Sequence, residues 1–191
     1  TFPLKMISSE MPVGIRYKAG VSAQLKSAVL LAGLNSYGNT IIEEQIISRD
    51  HTENLLMKNI QCIKIIKKKK KIIKVKGKNF LNPLNLNIGG DPSSAAFFTA
   101  LTLLNKNSTL KIKNVGLNPT RTGFYEILKK QKVKINFKNI IKDNNEIRGD
   151  ILIKSSKLKP MNVQASLYPR TTDEYLILFV LASLTNGVST F

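Results

Sequence analysis

The sequence predicts an α/β protein, α+β by some schemes, in which helices pack beneath short-stranded sheets in repeated units. Three observations carry that expectation. The first is an internal repeat: 70 residues apart, Leu34-Asn35 falls on Leu104-Asn105 and Ile63-Lys64-Ile65 on Val133-Lys134-Ile135. The second is the order of elements around those anchors, helix, strand, helix, strand, which occurs twice. The third is punctuation: Gly89-Gly90 is the only Gly-Gly pair, and it sets a domain boundary with a hinge near residues 88–91.

Each element has its own signal. Ser22 to Leu34 reads as an apolar helix, and Thr40 to Glu43 as a strand. Asp50-His51-Thr52-Glu53 has capping-box spacing and opens a second helix to Asn59, followed by a strand from Gln61 to Ile66. Ile and Val alternate with Lys on both sides of Lys67 to Lys71, so that run is expected to be a hairpin tip whose five ammonium groups repel one another and seek water. Leu84 to Ile88 is strand-like. Asp91 caps a helix with Pro92 at its first position, where a missing N–H costs nothing, and Ser93 to Leu104 continues it. Thr109 to Lys113 is a strand. Asn118-Pro119 turns into a helix from Thr120 to Gln131 with Phe124, Ile127 and Leu128 on one face, and Val133 to Phe137 is a strand. A last helix from Thr172 or Asp173 to Leu184 is stopped by Asn186-Gly187, and Val188 to Phe191 reads as a strand.

With 191 residues, 42% of them hydrophobic, the chain can bury one sizeable core or two small ones. The net charge is +18, carried by 25 Lys and five Arg, with no Trp and 7% aromatics. Nucleic-acid readers lean on forked Arg donors and stacking rings, so the charge is read as a solvated lysine surface and no nucleic-acid partner is expected. A single Cys62 excludes an intrachain disulfide and a cysteine zinc cluster, and the lone His51 excludes a His-rich metal site. No apolar stretch approaches the roughly 18–20 residues of a membrane span, and no signal-peptide core opens the chain. A cytoplasmic protein without a membrane partner is expected. Because the sequence begins at Thr1 and stops inside a strand-like stretch, it reads as part of a longer protein.

Four stretches gather polar residues where helices begin: Ser22-Ala23-Gln24, Ser48-Arg49-Asp50-His51, Asp91-Pro92-Ser93-Ser94 and Thr171-Thr172-Asp173-Glu174. A helix start offers unpaired N–H groups and about half a positive charge, which suits a phosphate or carboxylate. Ser22 can serve as cap or as ligand. Gln24 both donates and accepts, and reads as a ligand group. Arg49 can bind an anion or form a surface ion pair, and Asp173-Glu174 can complement the helix dipole or do acid/base work. His51 reads as packing or hydrogen-bonding within its own turn, since no nucleophile pairs with it. No Gly-rich phosphate loop or metal-ligand pattern is present.

Five stretches, Ser22-Ala23-Gln24-Leu25-Lys26-Ser27-Ala28, Ser48-Arg49-Asp50-His51-Thr52-Glu53, Gly90-Asp91-Pro92-Ser93-Ser94-Ala95-Ala96-Phe97, Asn118-Pro119-Thr120-Arg121-Thr122-Gly123 and Asp173-Glu174-Tyr175, together resemble, in order and separation, the 5-enolpyruvylshikimate-3-phosphate synthase family. The likeness covers nearly the whole chain. It implies a two-domain inside-out barrel of repeated βαβαββ units, here incomplete: residues 1–88 would be the last part of the first domain, and 89–191 the first unit and the start of the second unit of the other. The implied reaction moves the enolpyruvyl group of phosphoenolpyruvate to the 5-hydroxyl of shikimate 3-phosphate and releases phosphate, in aromatic amino acid biosynthesis. No metal or organic cofactor is implied, and the full-length protein is expected to be a monomer. By resemblance, Ser22, Ala23 and Gln24 contact shikimate 3-phosphate, Gln24 also reaches phosphoenolpyruvate, Arg49 contacts the phosphorylated sugar acid, and Asp173 binds its hydroxyls and acts in proton transfer.

The chain departs from the family in places. Leu176 stands after Asp-Glu-Tyr, where members usually have Pro. The N-terminal lysine motif, the Asn-Ala-Gly stretch and the later Lys-Glu-Ser-Asp-Arg motif have no counterpart, so the isolated chain is expected to be inactive and to expose surface that belongs against further units. The related transferase acting on a UDP-sugar fits less well, since its family lacks the Ser-Arg-Asp-His-Thr-Glu stretch.

Overall fold

In this computed structural model the described residues are 3–5, 7–58, 61–67 and 70–191, with the backbone alone at Lys67. The chain divides into two compact units, Thr1–Leu84 and Asn85–Phe191.

The first unit contains β1 (Arg16–Ala19), α1 (Ala23–Asn35), β2 (Asn39–Glu44), α2 (His51–Leu56), β3 (Ile63–Lys67) and β4 (Lys71–Lys76). Its sheet runs β1-β2-β4-β3, with β1 and β2 parallel across α1 and the other pairs antiparallel. Side chains alternate along a strand, so Thr40, Ile42 and Glu44 of β2 share the buried face, as do Lys71, Ile73 and Val75 of β4. Leu30 and Leu34 of α1 close over Ile42, Ile63, Ile73 and Val75. Gly33 lets α1 sit this low, since a Cβ there would come within 2.8 Å of the Thr40 Cβ.

The second unit repeats the plan with α3 (Pro92–Leu104), β5 (Thr109–Gly116), α4 (Gly123–Lys130), β6 (Ile135–Asp143) and β7 (Glu146–Lys154), then 3-10 turns at Ala165–Arg170 and Thr172–Glu174 and helix α5 (Tyr175–Ser183). The antiparallel sheet runs β5-β7-β6. Gly90 bridges Val115 in parallel, taking the place that β1 holds beside β2. The glycine pair lies inside this unit because the backbones touch: a Cβ on Gly89 would stand 2.9 Å from the Gly116 nitrogen. Ala95, Ala96, Phe124, Tyr125, Leu128, Ile151, Ile153 and Leu178 belong to its apolar core. Phe97, Leu101, Leu176 and Val180 leave an apolar part of α3 and α5 uncovered in this chain.

Several expectations are corrected. Lys71 is not part of a solvated tip: it starts β4 on the buried face, because strand parity places it in phase with Ile73 and Val75. Lys70 is exposed, whereas Lys68, Lys69 and the Lys67 side chain lie outside the described residues. Asp50 makes no side-chain cap bond, and Glu53 turns inward to two lysines instead of back to the helix start. The second helix ends at Leu56, and Asn59 lies outside the described residues. The Asn118 side chain accepts from the Thr120 N–H at 2.8 Å and its hydroxyl at 2.7 Å, and this local turn delays α4 to Gly123. Residues 84–88 form no strand, and the stretch at 188–191 reaches only an isolated bridge, Asn162 to Thr190. Among the described residues no helix is long and apolar enough to cross a membrane.

Asp150 on the central strand β7 pins two bulges. Asn114 of β5 and Asn139 of β6 both adopt positive φ where the register shifts. Asp150 accepts from the Lys111 ammonium at 2.9 Å, the Asn114 N–H at 3.0 Å and the Asn139 amide at 2.8 Å. Those bonds hold its carboxyl down to about 2. The unfolded value is about 3.9, so the folded form is favoured by ionisation. This stabilisation is complete above about pH 4 and is lost as pH falls toward 2. The difference in melting temperature between the parent chain and Asp150→Asn should therefore shrink across that interval; a constant difference from pH 6 to 2 would refute the assignment.

Candidate functional site

In the first unit two helix starts rest on one buried charge cluster. Ser22 caps α1, its hydroxyl accepting from the Leu25 N–H at 3.3 Å, so Ala23 and Gln24 form the first turn and Gln24 is exposed. One turn further, Lys26 is fully buried, its ammonium 2.8 Å from Glu44 Oε1 and 2.7 Å from Glu53 Oε1. Lys71 lies 3.1 Å from Glu44 Oε2 and 3.1 Å from Glu53 Oε1. Two ammonium groups thus face two carboxylates, which removes the net charge and makes burial tolerable. Glu44 Oε1 also accepts the N–H and the hydroxyl of Ser48, each at 2.8 Å, which fixes the chain immediately before the half-buried Arg49. Ser27 and Thr52 share a hydroxyl bond of 2.7 Å, tying α1 to α2.

Burial would push the Glu44 carboxyl up, but the donors from Lys26 and Ser48 outweigh it and hold it below the ordinary range. Burial would likewise push Lys71 down, and the charges of Glu53 and Glu44 outweigh it and raise it. Glu44 and Lys71 are therefore both charged near neutral pH.

In the second unit three helix starts meet around Arg121. Asp91 caps α3 by accepting from the Ser94 N–H at 2.9 Å. The Arg121 guanidinium donates to Asp91 Oδ1 and to the Ser93 hydroxyl, each at 2.8 Å, and stands 3.9 Å from Asp173 Oδ2. Ser93 in turn donates to the Glu174 carboxylate. Burial works to raise Asp91, but the Ser94 bonds and the Arg121 charge prevail and lower it. Gly123, which opens α4, lets the 3-10 turn approach: a Cβ there would come within 2.8 Å of the Arg170 carbonyl oxygen. The structure separates the two acids that the sequence left equivalent, since Glu174 is buried against Ser93 and Asp173 is exposed beside Arg121.

Ser22, Ala23, Gln24 and Arg49 thus belong to one constellation in the first unit, and Asp173 belongs to another in the second. Sequence reading missed Lys26, Glu44, Glu53, Lys71 and Arg121. Strand parity carried a signal for Glu44, in phase with Thr40 and Ile42; Arg121, one of five arginines, lies in a turn before a helix. Among the described residues no group of three or more His, Cys, Asp or Glu is arranged to hold a metal.

The repeated α/β units match an incomplete enolpyruvyl transferase fold, to which the chain's solved structural neighbours belong. Residues 3–191 match the family model described as EPSP synthase (3-phosphoshikimate 1-carboxyvinyltransferase), and the chain belongs to that family. Similar curated proteins include the 3-phosphoshikimate 1-carboxyvinyltransferases of Thermodesulfovibrio yellowstonii, 44% identical over 96% of this chain and 41% of the relative, and of Petrotoga mobilis, 41% identical over 98% and 43%. Among solved structures, EPSP synthase from Acinetobacter baumannii matches with a TM-score of 0.78 at 35% identity, covering 94% of this chain and 41% of that one. The chain spans about two fifths of the length of the curated relatives it matches.

Proposed function

We propose that this chain supplies the shikimate 3-phosphate side of an enolpyruvyl transfer, in which phosphoenolpyruvate gives its enolpyruvyl group to the 5-hydroxyl of shikimate 3-phosphate and phosphate leaves. One observation carries the reading: Ser22, Gln24 and Arg49 stand at helix starts tied to a single neutral buried cluster. Oriented N–H groups, a hydroxyl and a guanidinium suit a doubly charged phosphate. Ser22, Ala23, Gln24 and Arg49 contact the phosphorylated sugar acid, and Gln24 reaches phosphoenolpyruvate. Asp173 binds the hydroxyls and moves a proton, since addition of the 5-hydroxyl to C2 of the enol phosphate requires removing the hydroxyl proton and protonating the methylene, after which phosphate leaves as the methyl group gives a proton back. No cofactor is used.

Residues 1–88 belong on this reading to the end of one domain and 89–191 to the start of the other, supported by the division between Leu84 and Asn85. Cations for phosphoenolpyruvate come from family motifs that this chain lacks, so the chain alone does not turn over. The complete protein acts in the cytoplasm as a monomer, with no nucleic-acid or membrane partner.

Calorimetric titration of the chain with shikimate 3-phosphate tests this. Saturable binding is expected, weakened about 10- to 100-fold in Arg49→Ala, the equivalent of a charge-assisted hydrogen bond of about 1.5–3 kcal/mol. Equal binding of unphosphorylated shikimate, or no effect of the substitution, would overturn the assignment.

A further inference from the structure

We propose that Lys26, Glu44, Glu53 and Lys71 are positioning residues, whose buried charges aim the ligand groups of the first unit instead of merely holding the fold together. The inference rests on the reading of Ser22, Gln24 and Arg49 as contacts to a phosphorylated substrate.

The four residues come from four elements, α1, β2, α2 and β4, and each is at most 9% exposed. Burying four charges gives little stability, since desolvation consumes most of what the pairing returns. The second unit shows that the topology does without them. Four residues after its cap, α3 carries Ala95 where α1 carries Lys26, and the third residue of α4 is Tyr125 where α2 has Glu53. Both Ala95 and Tyr125 sit in an apolar core. An apolar contact is non-directional, whereas a carboxylate holding two donors on one oxygen fixes an orientation.

What Glu44 fixes is the Ser48 N–H and hydroxyl, one residue before Arg49. What Lys26 fixes is the turn of α1 that follows Ser22 and Gln24, joined through Glu53 to the first turn of α2. The cluster therefore locks the Arg49 approach to the Ser22–Gln24 turn, and the ligand meets a site already arranged.

The test uses the 191-residue chain in two variants. Glu44→Gln keeps the shape and removes one charge; the fully apolar variant Lys26→Met/Glu44→Leu/Glu53→Leu/Lys71→Met removes all four charges together, so that no charge is stranded and only the two Ser48 donors lose their acceptor. Amide hydrogen exchange at Ser48 and Arg49 and titration with shikimate 3-phosphate are read alongside melting temperature. The apolar variant is expected to fold, with its melting temperature lowered only by the loss of the Ser48 acceptor, and in both variants exchange at Ser48 and Arg49 should rise at least tenfold and ligand affinity fall at least tenfold. Unchanged exchange, or unchanged affinity despite faster exchange, in a folded variant overturns the proposal. Failure of both variants to fold also overturns it, because the charges would then serve the fold. If the parent chain binds no shikimate 3-phosphate, the functional reading fails, and exchange at Ser48 and Arg49 still judges the positioning role.

Discussion

Lys26→Met alone should destabilise the first unit by about 3–5 kcal/mol, the cost of stranding a buried carboxylate whose partner has gone. Lys26 is the fully buried member that touches both carboxylates, at 2.8 Å from Glu44 and 2.7 Å from Glu53. Without it, Lys71 faces two negative charges, and one of them lacks compensation in a place that water does not reach. Methionine matches the stem of lysine closely, so lost packing contributes little and the charge accounts for the effect. Urea unfolding followed by hydrogen exchange, which resolves the two units, should show the loss in residues of the first and not in those of the second. A drop of less than about 1 kcal/mol would mean that water or a displaced side chain relieves the carboxylates, and the cluster would not be closed as the geometry describes.

Duplication was legible in the sequence because apolar period and cap chemistry are local. Asp91-Pro92 placed the start of α3 within a residue, and Phe124, Ile127 and Leu128 announced the buried face of α4. What escaped depends on partners distant in sequence. The four residues of β1 become a strand through parallel pairing with β2, and β7 runs unbroken through Gly149-Asp150 opposite bulges in both neighbours. Lys71 was hidden for a different reason: five consecutive lysines suggest uniform solvation, and its burial follows from register, which pairs it with Glu44 across β2 and β4. The residues proposed to touch ligand were found because they sit at helix starts. The buried residues proposed to hold them in place were not, since beyond the strand parity that puts Glu44 in phase with Thr40 and Ile42 a buried ion pair leaves no short-range pattern.

Asp173→Asn should reduce turnover by a factor of about 10² to 10⁴ when this chain replaces the matching segment of the Thermodesulfovibrio yellowstonii relative, with phosphate release as the readout. Asparagine can still hydrogen-bond a substrate hydroxyl but can take no proton, so the loss should fall on kcat while KM for shikimate 3-phosphate moves by no more than several-fold. The neighbouring acid gives the contrast. Glu174 is buried and accepts from Ser93, so Glu174→Gln should lower stability more than it lowers kcat. Arg121 lies between them, 2.8 Å from Asp91 and 3.9 Å from Asp173, and anchors the α3 start beside the turn that presents Asp173. A carboxylate that transfers protons must be reachable and yet held, and exposure beside an otherwise engaged guanidinium provides both. If Asp173→Asn keeps turnover within a factor of ten of the parent chimera, Asp173 is not the group that moves the proton.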